Sequence, residues 1–293
     1  MEEITGEGDS TPGEVFSTVA NETRFEILEA LWNADADGLT FSELHDCVDI
    51  RDSGQFNYHL GKLVDVFLRK EGELYRLRYS GMQRIGAVLA GIYTRELTID
   101  EIDINESCNL CGGDLTGSYA AEELQVTCTD CGGVITEFHV PPGVLSPYDA
   151  ENLAGVLDRW LKLSLDQMST GFCPLCFGPL EMSIAELDSE HVDHLGVEFE
   201  CSRCGYSIGS LIGSAVLRHP AVVAFHYVHG IDLETTPLWG LEWLFEDHAH
   251  YVDEAEELAE IVIEIDGDKL RVLVDHDLDV VSVEGEGIVA EGA

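Results

Sequence analysis

Apolar residues recur at helical spacing through the first third of the chain. Val15, Phe16 and Val19 line up within residues 14–19, and Phe25, Ile27, Leu28 and Leu31 within residues 23–32, which predicts two amphipathic helices. Asn21 suits the N-cap of the second, and the stretch ending at Gly38 stops it. Residues 40–48 read as a short third helix with a capping box formed by Thr40 and Glu43. Ser53 is the expected cap of a fourth helix, residues 53–65. Its inward face is Phe56, Leu60, Leu63 and Val64, and Gln55, Asn57, Tyr58 and Lys62 turn outward. Next, FLRK, a Glu-Gly-Glu turn and LYRLRY predict a β-hairpin, with Leu74 and Leu77 apolar among arginines. A further helix over 81–94 carries the stripe Met82, Ile85, Val88, Leu89 and Ile92, which suits a partner subunit and so a homodimer, or the domain's own first helix.

The pattern then changes and repeats. CNLCGGDL followed by QVTCTDCGGVI is echoed by CPLCFGPL followed by EFECSRCGYSI, a duplicated ribbon unit in which an apolar strand leads into each second CxxC. Between the copies Pro141, Pro142 and Pro147 mark a break, and residues 148–168 predict a helix with Leu153, Val156, Leu157, Trp160, Leu161 and Leu165 on its apolar side. Residues 211–217 and 221–228 read as helical, interrupted at His219-Pro220. A short helix is expected around Trp239 and Trp243, whose rings, with that of Trp160, read as core in preference to a pocket lining. The final segment alternates across Gly267, predicting a β-hairpin with scope for a third strand.

The expected fold is therefore α+β: an N-terminal winged helix-turn-helix, then two four-cysteine zinc-ribbon-like units with helical insertions, then a C-terminal β-hairpin. The expected boundaries are a disordered tail at 1–12, the winged helix-turn-helix at 13–95, the first ribbon at 96–140, a helical linker at 141–170, the second ribbon at 171–210 and a helical and β-hairpin region at 211–293.

Charge sharpens this picture. The 293 residues carry 57 Asp and Glu against 15 Lys and Arg, a formal charge of −42. The acids are scattered along the chain, which points to a surface adapted to molar salt in preference to an acidic tail built for a basic partner. Residues 51–95 reverse the sign. Arg51, Lys62, Arg69, Lys70, Arg76, Arg78, Arg84 and Arg95 face only Asp52, Asp65, Glu71 and Glu73 there. Basic side chains concentrated on one segment of an acidic protein suit phosphate, although in molar salt a Debye length of about 3 Å leaves hydrogen bonds and shape to carry most of the binding. There is no run of 18 apolar residues, and the acidic N-terminus is unlike a signal peptide, so a cytoplasmic protein without membrane contact is expected.

Eight of the nine cysteines fall in CxxC pairs. Cys108, Cys111, Cys128 and Cys131 form one set and Cys173, Cys176, Cys201 and Cys204 the other; two knuckles joined by a hairpin give four thiolates around Zn(II). A shell of four cysteines leaves no open position, so two structural zinc ions are expected, with folding coupled to binding. An iron-sulfur cluster and thiol redox cycling are the alternatives. His191 and His194 in the second linker are candidates to replace a cysteine, with a solvated loop as the plainer reading. His226 with His229, and His248 with His250, lack companion carboxylates and read as packing or surface groups. Cys47, alone on a helix, reads as a small core residue.

Gln55 and Asn57 suit adenine edges in a major groove, Tyr58 a phosphate or thymine methyl, and Lys62 a phosphate or guanine. Ser53 at the helix start and Arg69, Lys70, Arg76 and Arg78 in the hairpin complete the expected DNA-binding set. Residues 14–95, through VFSTVANETRFEILEAL, TFSELHDCV and SGQFNYHLGKLV, resemble the ArsR-type winged helix-turn-helix domain in the form found in regulators of halophilic archaea. The resemblance implies sequence-specific binding of double-stranded DNA as a homodimer, with repression relieved by a signal. Metal-sensing members carry a cysteine pair in the helix before the recognition helix; this chain has only Cys47 there, so metal-triggered release does not carry over. The remainder, through HPAVVAFHYVHGIDLETTPLWGLEWLF, looks like an uncharacterised domain that recurs with such heads.

A gene-specific regulator whose C-terminal half senses a ligand or partner is thus expected. The alternative is a basal transcription adaptor, since a winged helix with a zinc ribbon also resembles the archaeal homologue of initiation factor E, which works through contacts with the transcription machinery. No nucleophile elbow, phosphate loop, HExxH or open metal set occurs, and no enzyme is expected.

Overall fold

The computed structural model describes residues 11–35, 37–188, 193–245, 248–253 and 258–285. The chain divides into two compact units, Met1–Arg95 and Glu96–Ala293.

In the first unit, α1 (Pro12–Val19) opens on a capping box in which Thr11 and Glu14 satisfy each other's backbone. Most of the expected tail lies outside the described residues. Asn21 caps α2 (Glu22–Trp32), and Thr40 with Glu43 closes the capping box of α3 (Phe41–Asp46), which follows the short strand β1 (Leu39–Thr40). The fourth helix, α4 (Ser53–Leu63), is capped by Asp52 and not by Ser53: the Asp52 carboxylate accepts from the Gln55 amide at 2.8 Å, and Ser53 is the first helical residue. Strands β2 (Leu68–Glu71) and β3 (Leu74–Leu77) form the hairpin and, with β1, a three-stranded sheet of order β1-β3-β2. Helix α5 spans Tyr79–Leu89, starting before and ending well short of the expected 81–94. A methyl at Gly81 would come 2.6 Å from the Phe67 carbonyl oxygen, so the missing side chain lets α5 press against the end of β2.

The core is Ile27, Leu28, Leu44, Phe56, Leu60, Leu63, Phe67, Leu68 and Ile85. Val64 ends α4 half-buried, and His59 shares the buried face. Cys47 corrects the expectation of a core residue. α3 stops at Asp46, so helical spacing no longer turns position 47 inward; Val48 is buried and Cys47 exposed.

In the second unit, β4 (Ile99–Ser107), β5 (Asp114–Ala120), β6 (Glu123–Cys128) and β7 (Val134–His139) form an antiparallel meander. The short α6 (Pro142–Leu145) leads to α7 (Leu153–Ser169), which begins later than the expected 148 because a 3-10 turn occupies Ala150–Asn152. The second copy has three strands, β8 (Leu180–Asp188), β9 (Asp193–Cys201) and β10 (Ser207–Leu211), ordered β10-β9-β8. Where β4 enters the first copy, α7 enters the second, and among the described residues a bridge between Phe172 and Pro179 takes the place of a fourth strand.

Residues Ile212–Val216 form a 3-10 helix where an α-helix is expected, with Gly213 so close to Trp243 and Leu244 that a methyl would lie 2.7 Å from each. α8 (Pro220–Val228) starts on its proline, with the His219 side chain accepting from the Ala221 amide. Trp239 and Trp243 lie in 3-10 turns, Leu238–Gly240 and Glu242–Leu244. The expected C-terminal hairpin is the centre of a four-stranded meander, β11 (Ala249–Asp253), β12 (Leu258–Ile265), β13 (Asp268–Val274) and β14 (Val280–Gly285). Asp266 and Gly267 both have positive φ in its two-residue turn, the geometry of a primed hairpin turn. Ala259, Ile261, Ile263, Leu270, Val272 and Val274 alternate inward and join the second cysteine cluster's sheet in one core.

Candidate metal centres and the exposed face of α4

The chain builds each cysteine knuckle in the same way. The first cysteine's amide donates to the carbonyl five residues on, and its own carbonyl accepts from the amide four residues on. The pairs are Cys108 with Gly113 and Gly112, Cys128 with Gly133 and Gly132, Cys173 with Gly178 and Phe177, and Cys201 with Tyr206 and Gly205. The fourth position is left-handed every time, φ 77° at Gly112, 74° at Gly132, 57° at Phe177 and 72° at Gly205. Three of these are glycine, the residue for which that conformation costs least; Phe177 is the exception. Facing knuckles pack tightly enough to exclude a side chain. A methyl at Gly113 would lie 2.5 Å from the Asp130 carboxylate, and one at Gly178 2.8 Å from Arg203 Cβ.

The two turns bring Cys108, Cys111, Cys128 and Cys131 together, and likewise Cys173, Cys176, Cys201 and Cys204, all four sulfurs of each set within 4.8 Å of one another. Across the first cluster Cys108 and Cys131 are 3.9 Å apart and Cys111 and Cys128 3.5 Å; across the second, Cys173–Cys204 is 3.7 Å and Cys176–Cys201 3.5 Å. A zinc-sulfur bond of about 2.3 Å sets a tetrahedron edge of about 3.8 Å, so both clusters fit a metal ion such as zinc. In each cluster the knuckle amides favour thiolate at one sulfur, while hydrogen bonds with the neighbouring sulfurs and burial push a second, Cys111 or Cys204, up to about 12. Amides of Cys131 and Asp130 point at the Cys128 sulfur and bring its pKa down to about 7 against the opposing effect of burial. The Cys204 and Arg203 amides bring Cys201 down to about 6.

Among the described residues these clusters are the groups of three or more Cys, His, Asp or Glu able to converge on one ion. His191 and the His194 side chain lie outside the described residues. His226 is buried, its Nδ1 paired with the Val222 carbonyl at 2.8 Å, and its pKa is lowered by burial. His229 pairs with the Phe225 carbonyl and with Asp268, which raise its pKa. His250 stands 3.9 Å from Glu260.

On α4, Ser53, Gln55, Asn57, Tyr58 and Lys62 are all exposed, with the Lys62 ammonium 5.8 Å from the centre of the Tyr58 ring. In the hairpin, Arg69 and Lys70 are exposed, and Lys70 lies over the Tyr75 ring at 5.1 Å. Arg76 is held by Asp37 at 2.5 Å and Glu71 at 3.3 Å, and Arg78 donates to the Asp65 carbonyl, so these two arginines brace the fold. Sequence reasoning missed a buried ion pair, Asp158 with Lys162, and a buried hydroxyl, Ser214. The pair had a signal, a charge inside the apolar stripe of α7; Ser214 had none.

Comparison with known proteins adds family membership. A family model described as Domain of unknown function (DUF7347) matches residues 12–88. No curated protein matches the chain, and no solved structure does. A second model, Domain of unknown function (DUF7351), matches residues 105–280, more than half of the chain and both cysteine clusters. The chain belongs to the DUF7351 family.

Proposed function

We propose that the chain is a gene-specific, DNA-binding transcription regulator acting as a homodimer in the cytoplasm, with two structural zinc ions and no catalytic role. In this reading the first unit is a winged helix-turn-helix, α4 its recognition helix and β2–β3 its wing. The observation that carries it is the division of α4. Phe56, Leu60 and Leu63 are buried, while Gln55, Asn57, Tyr58 and Lys62, which together can donate to and accept from base edges and phosphates, lie open on a helix followed by a basic hairpin. Dimerisation is supported by apolar side chains left exposed on α1 and α5, Phe16, Met82 and Leu89, and just beyond α5 at Ile92. Closed four-thiolate shells support structural zinc, because no coordination position remains for a substrate.

Genome-wide DNA occupancy in cells tests this, comparing the wild type with a Gln55, Asn57, Tyr58 and Lys62 alanine variant. The reading expects a few sharp peaks over two-fold repeats, lost in the variant. Promoter-wide signal that follows polymerase and survives the substitutions would overturn it in favour of a basal adaptor.

A further inference from the structure

We propose that the second unit holds a binding site for a small, neutral, largely apolar ring molecule with one hydrogen-bonding group, seated between the sheets of the two cysteine clusters. β7 and β10 are the terminal strands of their sheets among the described residues. Both line a cavity of about 240 Å³, through Ile135 on one side and Leu211 on the other, with Leu161 of α7, Trp239, Phe245 and Ser214 completing the wall. A cavity of about 150 Å³ admits a benzene ring, so this one has room for two fused or linked rings.

The lining specifies the chemistry. Ser214 is 6% exposed, and its buried hydroxyl has no hydrogen-bond partner. A buried polar group without a partner is costly; the Ser214 oxygen is closed to water, so a ligand that draws it into the cleft by a turn about χ1 and then donates to it or accepts from it removes that cost. Ser214 also lines an adjoining cavity of about 80 Å³ whose two cations are already committed: Lys162 to Asp158, and Arg218 to Asp166 and Glu234. No uncommitted cation therefore lines either cavity among the described residues, and Glu137 at the wall of the larger one adds negative charge. An anion is disfavoured, and so is a ligand too polar to displace water from an apolar wall.

1-Naphthylamine, two fused rings that are uncharged at neutral pH and bear one amino donor, is the probe, added to the full-length protein in molar salt without DNA and followed by its fluorescence. Saturable binding of one probe per chain is expected. Ile135→Trp, which fills the cleft from a half-buried position, should weaken it by at least about tenfold. Ser214→Ala should weaken it about fivefold, the value of one net hydrogen bond. Circular dichroism and metal content verify each fold, and Ser210→Trp replaces Ile135→Trp if that variant is unfolded. Unsaturable binding, or an affinity unmoved by a folded cleft-filling variant, overturns the site; an affinity unmoved by Ser214→Ala overturns the assigned role of the hydroxyl. Because DNA is absent, none of these outcomes depends on the regulatory reading.

Discussion

The Asp158 carboxylate and the Lys162 ammonium stand 2.7 Å apart on successive turns of α7, with side chains only 4% and 11% exposed. Asp158 also accepts from the Leu238 amide at 2.8 Å, and Lys162 donates to the Thr236 carbonyl at 2.7 Å. Two charges thus fasten α7 to the segment that carries Trp239. Burial pushes the Asp158 carboxyl above its ordinary pKa, and the Lys162 partnership offsets this only in part. Such a pair adds little net stability, yet breaking it strands a buried charge.

Lys162→Met should therefore lower the free energy of unfolding by about 3–5 kcal/mol at neutral pH, measured by urea denaturation. The pH dependence has a defined sign. A carboxyl whose folded pKa is raised contributes stability that is complete below its unfolded pKa and is lost as pH rises through the folded value. The deficit of Lys162→Met should thus shrink as the pH falls into the acid range, where the carboxyl takes up a proton. A deficit that stays constant with pH would show that the lost interaction is packing by the lysine stem.

Removing metal from either cluster should unfold its knuckles, because thiolates held 3.5 to 3.9 Å apart repel one another without a cation between them. Cys128→Ser and Cys201→Ser should each cost one zinc per chain by elemental analysis. Each should lower the melting temperature by about 6 °C or more, the equivalent of roughly 2 kcal/mol in a domain of this size. Unchanged metal content in both variants would rule out zinc in these shells.

Phe177 occupies the left-handed knuckle position that glycine holds in the other three, and its ring is 54% exposed, so packing does not compensate for the backbone. Phe177→Gly should raise stability by about 1 kcal/mol with zinc content unchanged, because relief of the left-handed conformation outweighs the added unfolded-state entropy of glycine. Destabilisation would indicate that the ring makes a contact in solution, for instance with a partner.

Local rules made the knuckles and caps legible in the sequence. CxxCG states where the chain must turn and which residue can take positive φ, and Thr40 with Glu43 encodes a capping box in four residues. Boundaries were less legible where tertiary contacts decide them. Ser53 and Asp52 are both good caps, and only the backbone geometry selects Asp52. Residues 211–217 have helical spacing, but the close seating of Gly213 against Trp243 and Leu244 tightens the segment into a 3-10 turn. In the C-terminal sheet Gly267 marks only the central turn, so the alternation predicts a hairpin with scope for a third strand, while β11 and β14, the outer strands, are shorter and more exposed. The Ser214 cleft was not legible at all, since its walls come from strands and helices distant in sequence.

His226 is fully buried with Nε2 unpartnered, and burial holds its pKa below the ordinary imidazole value. A depressed folded pKa means that the unfolded chain takes up the proton first. The stability is present above the unfolded pKa, about 6.5, and is lost as pH falls from there through the lower folded value. His226→Leu should therefore flatten the decline in unfolding free energy between about pH 7 and pH 5. Parallel profiles for the wild type and the variant would show that other groups set the acid limb.

Residues on α4 and in the hairpin should fail in different ways if the first unit reads DNA. Asn57 is exposed on α4 with an amide able to pair with adenine, so Asn57→Ala should cost about 1–3 kcal/mol on the preferred operator and little on other sequences. Lys70 lies in the hairpin, where a cation meets phosphate irrespective of sequence, so Lys70→Ala should weaken all duplexes alike and reduce the salt dependence by about one counterion. Arg76 belongs to neither class. Its pair with Asp37 ties the hairpin to the loop before β1 and its pair with Glu71 joins the two strands of the hairpin, so Arg76→Ala should lower thermal stability while leaving the ratio of specific to nonspecific affinity near that of the wild type. Titrations of the three variants against operator and scrambled duplexes separate these outcomes. Equal loss on both duplexes for Asn57→Ala would remove α4 as the reader of sequence and leave the hairpin as a general phosphate contact.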